Sequence, residues 1–302
     1  MLIRIGFEII VECRAPTPLL LALSPHSSYS GRVIGSDRVR AEPVVPLEEY
    51  LDPFDNRRTR VAAPAGRLKL WSDCVVEDEG KPDPFDWNAR QHEIVELPFD
   101  TLSYLTASRY CEADELVEQA WSLFGETLPG WARVQAICNW VHNHLTFGYH
   151  FGRPTKTAVD ALRERTGVCR DFAQLSIALC RAMNIPARYA SGYLGDIGVP
   201  PSGAGDFCAW FEAYLGNRWH TFDARYNTPR IGRVLMVRGR DAADVAMITS
   251  FGSYDLEFFR VWTDEVAYPA SDDALLNLLK ARPDAPALTL APIANRSSPV
   301  PS

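Results

Sequence analysis

Cys169 is the residue in this chain best placed to do chemistry. It lies in Thr-Gly-Val-Cys-Arg-Asp-Phe-Ala, from Thr166 to Ala173, where Thr166-Gly167 stops the preceding segment. From Phe172 to Met183 the residues are dominated by Phe, Ala, Leu, Ile and Met, the signature of a helix buried on most of its faces. That helix must end at Asn184-Ile185-Pro186, because the residue before a proline disfavours helical dihedrals. A cysteine at such a helix start meets unpaired N–H groups and the positive end of the dipole. Both favour the thiolate, the nucleophilic form. Free cysteines are more often inert core residues, and Cys138 and Cys180 fit that description because they fall inside helical patterns. Cys169 is set apart by its position.

A cysteine nucleophile needs a proton acceptor and a group to orient it. The segment Phe207 to Leu215, a Gly216-Asn217 turn and Arg218 to Ala224 together read as a β-hairpin. A two-residue loop pairs Leu215 with Arg218, Trp210 with Asp223 and Cys208 with Arg225. Residue 208 and Asp223 then become diagonal neighbours on one face, roughly 7–8 Å apart at the backbone. A histidine at 208 would reach Asp223, but the sequence has Cys208 there. A thiol carries protons less readily near neutrality, with an unperturbed pKa of about 8.5 against about 6.5 for imidazole. His220 lies three residues before Asp223 and falls on the opposite face, as a surface or packing residue. His144 and His150 lie upstream with nothing in the sequence to aim them at Cys169.

Gly-Val-Cys-Arg-Asp-Phe-Ala, the Ala-Trp-Phe-Glu-Ala-Tyr-Leu strand and Trp219-His220-Thr221-Phe222-Asp223 together resemble the bacterial transglutaminase-like superfamily of cysteine enzymes. The resemblance spans about residues 110 to 265. It implies that Cys169 is the nucleophile, that Asp223 is the orienting acid and that Cys208 occupies the histidine position. It also implies a papain-like catalytic part, helices packed on an antiparallel sheet, preceded by the β-rich domain often found in bacterial members. The expected activity is attack by Cys169 on a peptide or side-chain amide, giving a thioester resolved by water or an amine. Its substrate would be a protein or peptide, and the chemistry requires neither metal nor organic cofactor. The oxyanion would be met by the Cys169 backbone N–H and one upstream side chain. The rival reading is a catalytically degenerate member that keeps the cleft as a binding or scaffolding module.

Other roles were weighed for nearby residues. A Cys169–Cys208 disulfide requires the two sulfurs to meet, and a stable one is not expected in a reduced compartment. Trp210 and Trp219 could line a groove, although strand tryptophans are more often core. Arg170 and Asp171 could bind substrate, although first-turn residues more commonly cap their own helix. Cys138 and His142, at i and i+4, lack further ligands at zinc-like spacing, so a core cysteine and a surface histidine are expected.

The elements that must carry this site follow from periodicity. Ile3, Ile5, Phe7, Ile9, Val11 and Cys13 alternate as on a half-buried strand. Leu19 to Leu23 and Arg67 to Asp78 read as further strands, broken by turns such as Pro53-Phe54-Asp55-Asn56 and Lys81-Pro82-Asp83-Pro84. Residues 1–105 are therefore expected to form a β-sandwich domain, residues 106–281 the transglutaminase-like domain and residues 282–302 a Pro/Ala/Ser-rich tail; the whole is α+β. Helical stripes are expected over Leu116 to Phe124, Pro129 to Phe147 and Ala158 to Arg165, the last opened by a Thr157/Asp160 capping box. Ala187 to Leu194 reads as a strand and Gly195 to Asp206 as a loop on the site's rim. Further strands are expected around Gly232 to Val237 and Leu256 to Trp262, and a short helix over Asp273 to Lys280.

Composition bounds what partners to expect. The chain has 302 residues, a net charge of −7 and a pI near 5.4, which argues against nucleic acid. No apolar run approaches the ~20 residues that span a bilayer. The alternating N-terminus does not read as a signal peptide. Seven widely spaced cysteines do not suggest a disulfide framework. A cytoplasmic protein with reduced thiols is the expectation.

Overall fold

The computed structural model describes residues 1–201 and 205–268, with 274, 277 and 279 singly. Apart from those three positions, the helix expected over 273–280 lies outside the described residues, as does the tail over 282–302. The first part of the chain gives β1 (Leu2–Cys13), β2 (Thr17–Leu21), β3 (Val33–Ile34), β4 (Arg40–Glu42), β5 (Leu47–Leu51), β6 (Arg57–Ala63) and β7 (Gly66–Glu77). After a run of short 3₁₀ turns come α1 (Val117–Phe124), α2 (Trp131–His144), β8 (Thr146–Phe147), α3 (Ala158–Glu164) and β9 (Thr166–Gly167). The second half holds α4 (Cys169–Ala182), β10 (Ala187–Leu194), β11 (Phe207–Leu215), β12 (Arg218–Phe222), β13 (Arg233–Gly239), β14 (Ile248–Ser250) and β15 (Tyr254–Val266). The fold is α+β: an N-terminal sandwich of antiparallel sheets followed by a papain-like layer of helices on an antiparallel sheet.

The two sheets of the sandwich run β15-β1-β7-β3, with β4 also on β7, and β14-β2-β6-β5. Their last strands come from the far end of the chain, since β15 pairs with β1 and β14 with β2. This placement corrects the half-buried reading of β1. Its odd-numbered side chains enter the core as their alternation implied. The even-numbered residues from Leu2 to Ile10 are buried as well, and their charges pair with side chains of the neighbouring strands β7 and β15. Arg4 meets Asp73 at 2.6 Å, while Glu8 meets Arg260 at 3.1 Å and Lys69 at 3.4 Å.

The sheet behind Cys169 has the order β12-β11-β10-β13, and α4 packs across β11 and β10. Phe207, Ala209, Phe211, Ala213 and Leu215 of β11 join Phe172, Leu175, Ile177 and Leu179 of α4 in one core. Burial of such side chains contributes roughly 1.5–3 kcal/mol each, which fixes the helix against the sheet and hence its first residue in space. The α3 cap is as expected: Asp160 N–H donates to Thr157 Oγ1 at 3.2 Å, and Thr157 N–H donates to Asp160 Oδ2 at 3.3 Å. No helix among the described residues is long and apolar enough to cross a membrane.

Candidate active site

Three pieces of backbone converge at the start of α4. A short parallel pairing of β8 with β9 sets Phe147 beside Gly167, two residues before Cys169. Gly167 is needed there, because a Cβ would come within 2.7 Å of the Asp171 Cβ. Asp171 Oδ2 accepts the Val168 N–H at 2.9 Å, and Asp171 Oδ1 accepts from Arg170 at 3.0 and 3.1 Å. Arg170 and Asp171 thus cap and brace the helix start. Cys169 itself is half-buried, whereas the other six cysteines are buried.

Cys208 faces Cys169. Cys208 is the main influence drawing the Cys169 pKa below its ordinary value, while its own Sγ–H donates to the Ala209 carbonyl at 3.7 Å. Burial and the Asp206 carboxylate oppose that shift, while the Arg225 guanidinium and the Ala209 N–H support it. Cys208 moves the other way, its pKa raised by the neighbouring Cys169 and by burial. The two thiols are thus pushed apart, with the Cys169 proton the easier of the two to lose.

The hairpin register is as expected from Leu215–Arg218 as far as Phe211–Phe222. There the ladder stops, so the expected pairings of Trp210 with Asp223 and Cys208 with Arg225 do not form. The chain instead turns at Asp223, whose carbonyl accepts the Asn227 N–H at 2.8 Å. Asp223 stays close enough to Cys208 for its charge to be felt, but its carboxylate is occupied. Oδ2 accepts from Arg233 Nη2 at 2.8 Å, and Oδ1 accepts the N–H groups of Arg225 and Tyr226 at 2.9 and 3.1 Å. Arg233 also grips Asp83 Oδ2 at 2.8 Å and lies over the Trp210 ring.

The six histidines have their partners elsewhere. His220 is buried, edge-on to Trp131. His144 stacks on Trp140 and bonds the Leu162 carbonyl, and His150 packs on Phe151. His142 is exposed, with Nδ1 at 3.0 Å from the Ala224 and Arg225 carbonyl oxygens, while Cys138 beneath it is core. His26 and His92 bond Ser28 and the Asn217 N–H. Among the described residues no group of three or more His, Cys, Asp or Glu could hold a metal ion. Trp210 and Trp219 are both packing residues, Trp210 with Ala190 and Leu235, and Trp219 edge-on to Tyr104 and Tyr214.

Two further side chains belong to this site and were not singled out from the sequence. Asp206, two residues before Cys208, has its pKa pushed by burial up to about 7, against an ordinary 3.8. Arg225 stacks on Phe147 at 3.8 Å and donates to Tyr226 Oη at 2.7 Å, bringing a cation to the thiolate. The strand period that paired 208 with 223 would also have reached 206. A cleft of about 220 Å³ opens beside the site between Phe85, Trp131 and Phe222, and reaches Asp223 but is lined by neither Cys169 nor Cys208.

Comparison with known proteins bears on the fold that carries these residues. A family model for the transglutaminase-like superfamily matches residues 122–224, a span holding Cys169, Cys208 and Asp223. The crystal structure of a candidate cysteine protease from Cytophaga hutchinsonii is 29% identical and superposes with a TM-score of 0.77 over 90% of this chain and 92% of its own. An uncharacterized protein of Mycobacterium leprae is 29% identical over 253 residues, 78% of this chain and 88% of that protein. One from Mycobacterium tuberculosis is 36% identical over 116 residues, 34% of this chain and 36% of that protein. Residues 122–224 thus carry a transglutaminase-like region by this match.

Proposed function

We propose that the protein is a thiol-dependent enzyme acting on peptide or side-chain amide bonds of a protein or peptide substrate, by hydrolysis or by transfer to an amine. The observation that carries this reading is the lowered pKa of the half-buried Cys169 thiol at the mouth of α4. A lowered pKa raises the thiolate fraction, and the thiolate needs no base for its first attack. Its sulfur adds to the amide carbonyl, and the N–H groups at the helix start face the developing oxyanion. Collapse to the thioester requires a proton on the departing nitrogen. Asp206, titrating near neutrality, is the group proposed to supply it and later to take one from the incoming water or amine.

Alkylation reads the nucleophile directly. With iodoacetamide titrated against pH, Cys169 is expected to be labelled ahead of the other cysteines and to retain its reactivity below pH 8. Cys169→Ala should lose all turnover. Labelling no faster than that of a free thiol would end the proposal.

Asp206→Asn should split two readouts. Removing a carboxylate that opposes the thiolate makes Cys169 alkylate faster at pH 7, while turnover falls by on the order of 10²-fold through loss of the proton carrier. Equal movement of both rates would remove Asp206 from the mechanism. Stability follows the same sign. The folded pKa lies above the unfolded one, so the folded state holds the proton more tightly and loses stability as pH rises from about 4 to about 7. The Asn variant should lack that loss in thermal melts.

A second reading is favoured by Asp223 and position 208. With the carboxylate given to Arg233 and no imidazole at 208, the site resembles one that has kept its shape as a binding or scaffolding module. A Cys169 that alkylates at an ordinary pH, in a protein without turnover, would support it.

A further inference from the structure

We propose that Arg225 anchors a carboxylate of the molecule that Cys169 meets, so that the substrate of this site is an amide with a free carboxylate close to the scissile bond. The inference deepens the enzyme reading above and rests on it for the amide, while the anchor itself is read without turnover.

Four arginines lie at the start of α4 or just after the turn at Asp223, and three of them are spent. Arg170 donates to Asp171 Oδ1 and, at 2.6 Å, to the Arg153 carbonyl. Arg230 is buried and donates to the Gly195 carbonyl at 2.8 Å, with Asp196 at 3.4 Å. Arg233 holds Asp83 and Asp223. Arg225 differs. Among the described residues no carboxylate lies within ion-pair distance of it, and its guanidinium has Tyr226 Oη, 2.7 Å from Nη1, as its hydrogen-bond partner. The side chain is nonetheless held in place. Its guanidinium carbon sits 3.8 Å from the Phe147 ring centre and 4.3 Å from that of Tyr226. The backbone is pinned as well, its N–H donating to Asp223 Oδ1 at 2.9 Å and its carbonyl oxygen 3.0 Å from His142 Nδ1. Phe147 pairs with Gly167 across β8 and β9, and its ring lies 6.5 Å from that of Phe172. Gly167 and Phe172 bracket Cys169, so rings and backbone set the cation beside the nucleophile. Arg225 is itself half-buried, so solvent reaches it.

A guanidinium offers its N–H donors in a planar fork that matches the two oxygens of a carboxylate, and stacking on a ring orients the fork without using those donors. Arg225 gives one donor to Tyr226 and keeps the rest. An arginine retained only to brace the chain would be closed by acids of its own, as Arg153 is by Asp160 and Glu164. Asp206 feels the same cation, but its pKa of about 7 leaves it partly protonated at neutrality, so it does not close the fork. A phosphate, with its greater charge, calls for more than one cation, and the other three arginines are engaged. A single carboxylate fits a single open fork. On a peptide that group has two sources, the C-terminal carboxylate of a residue next to the scissile bond or the side chain of a neighbouring Asp or Glu.

Two alkylating reagents read the anchor on the full chain. Iodoacetate carries a carboxylate and iodoacetamide a neutral amide. Both react with the thiolate, so the ratio of their rates cancels any change in the Cys169 pKa. Relative to 2-mercaptoethanol, Cys169 should favour iodoacetate by on the order of 10-fold, the contribution of one charge-assisted hydrogen bond. Arg225→Gln should return the ratio to that of the free thiol, and Arg225→Lys should keep part of it; a structural role alone would slow both reagents together. Peptide pairs then separate the two sources, a free C-terminal acid against its amide and Glu against Gln beside the cleaved bond. The carboxylate that is recognised should lower KM by about 10-fold in the parent and not in Arg225→Gln. A parent ratio no higher than that of 2-mercaptoethanol would overturn the proposal without any variant, as would hydrolysis indifferent to both pairs. A protein that hydrolyses no peptide but keeps a raised ratio that depends on Arg225 loses the enzyme reading, and the anchor stands.

Discussion

Cys208→His is expected to raise amide hydrolysis by on the order of 10²–10⁴-fold, the usual contribution of a positioned general base. The substitution changes the side chain with the largest influence on the Cys169 thiol. An imidazole there forms an ion pair with the thiolate and can return a proton to the leaving nitrogen, which the high-pKa Cys208 thiol does poorly. Asp223 is within charge range, so a protonated ring gains a counterion even while Arg233 keeps its hold. The rate should acquire an acid limb near the imidazole range, around pH 6.5, absent from the parent. A fluorogenic peptide library measured for both proteins from pH 5 to 9 decides it. A folded variant with no gain and no new limb would mean that the parent site does not lack a base.

Arg233→Met is expected to cost about 3–5 kcal/mol in urea unfolding, the typical penalty for leaving buried charge without its partner. Arg233 binds Asp223 and Asp83, each at 2.8 Å, with side-chain exposures of 7%, 4% and 18% in that order. Removing the cation strands two carboxylates, one of them among the backbone N–H groups of a tight turn. Arg60→Met is the control, since its pair with Glu48 is exposed and such pairs contribute about 1 kcal/mol or less. Equal losses in the two variants would show that the Arg233 cluster carries no special weight. Double substitution of Asp83 and Asp223 to Asn should restore part of the Arg233→Met loss, because the stranded charges are then gone.

These two variants also mark where the sequence stops speaking. The placement of Cys169 was legible because everything that makes it is local: a glycine stop, an Asp171 cap and an apolar run ending before Pro186. β10 and β11 were legible for the same reason, as was the Thr157 cap. The fate of Asp223 was not. Its partner lies ten residues on, beyond a turn that breaks the hairpin ladder, and no spacing rule joins them. Asp206 was read only as the end of a rim loop, and its titration near neutrality depends on burial by the fold. The two-sided burial of β1 was hidden for a similar reason, since an alternating pattern cannot announce that a strand from residues 254–266 will cover one edge and bring Arg260 to Glu8.

That returning strand matters to how the protein is made. A chain emerging from the ribosome in its first hundred residues has β1 with only β7 beside it, and the other hydrogen-bonding edge open. Such an edge invites pairing with a second nascent chain until it is covered. Completion waits for β15, some 250 residues later, so the sandwich closes only after the Cys169 layer has been synthesised. The layer that carries Cys169 is thus enclosed by its own scaffold, and a truncation near residue 250 would harm the amino-terminal sheet first.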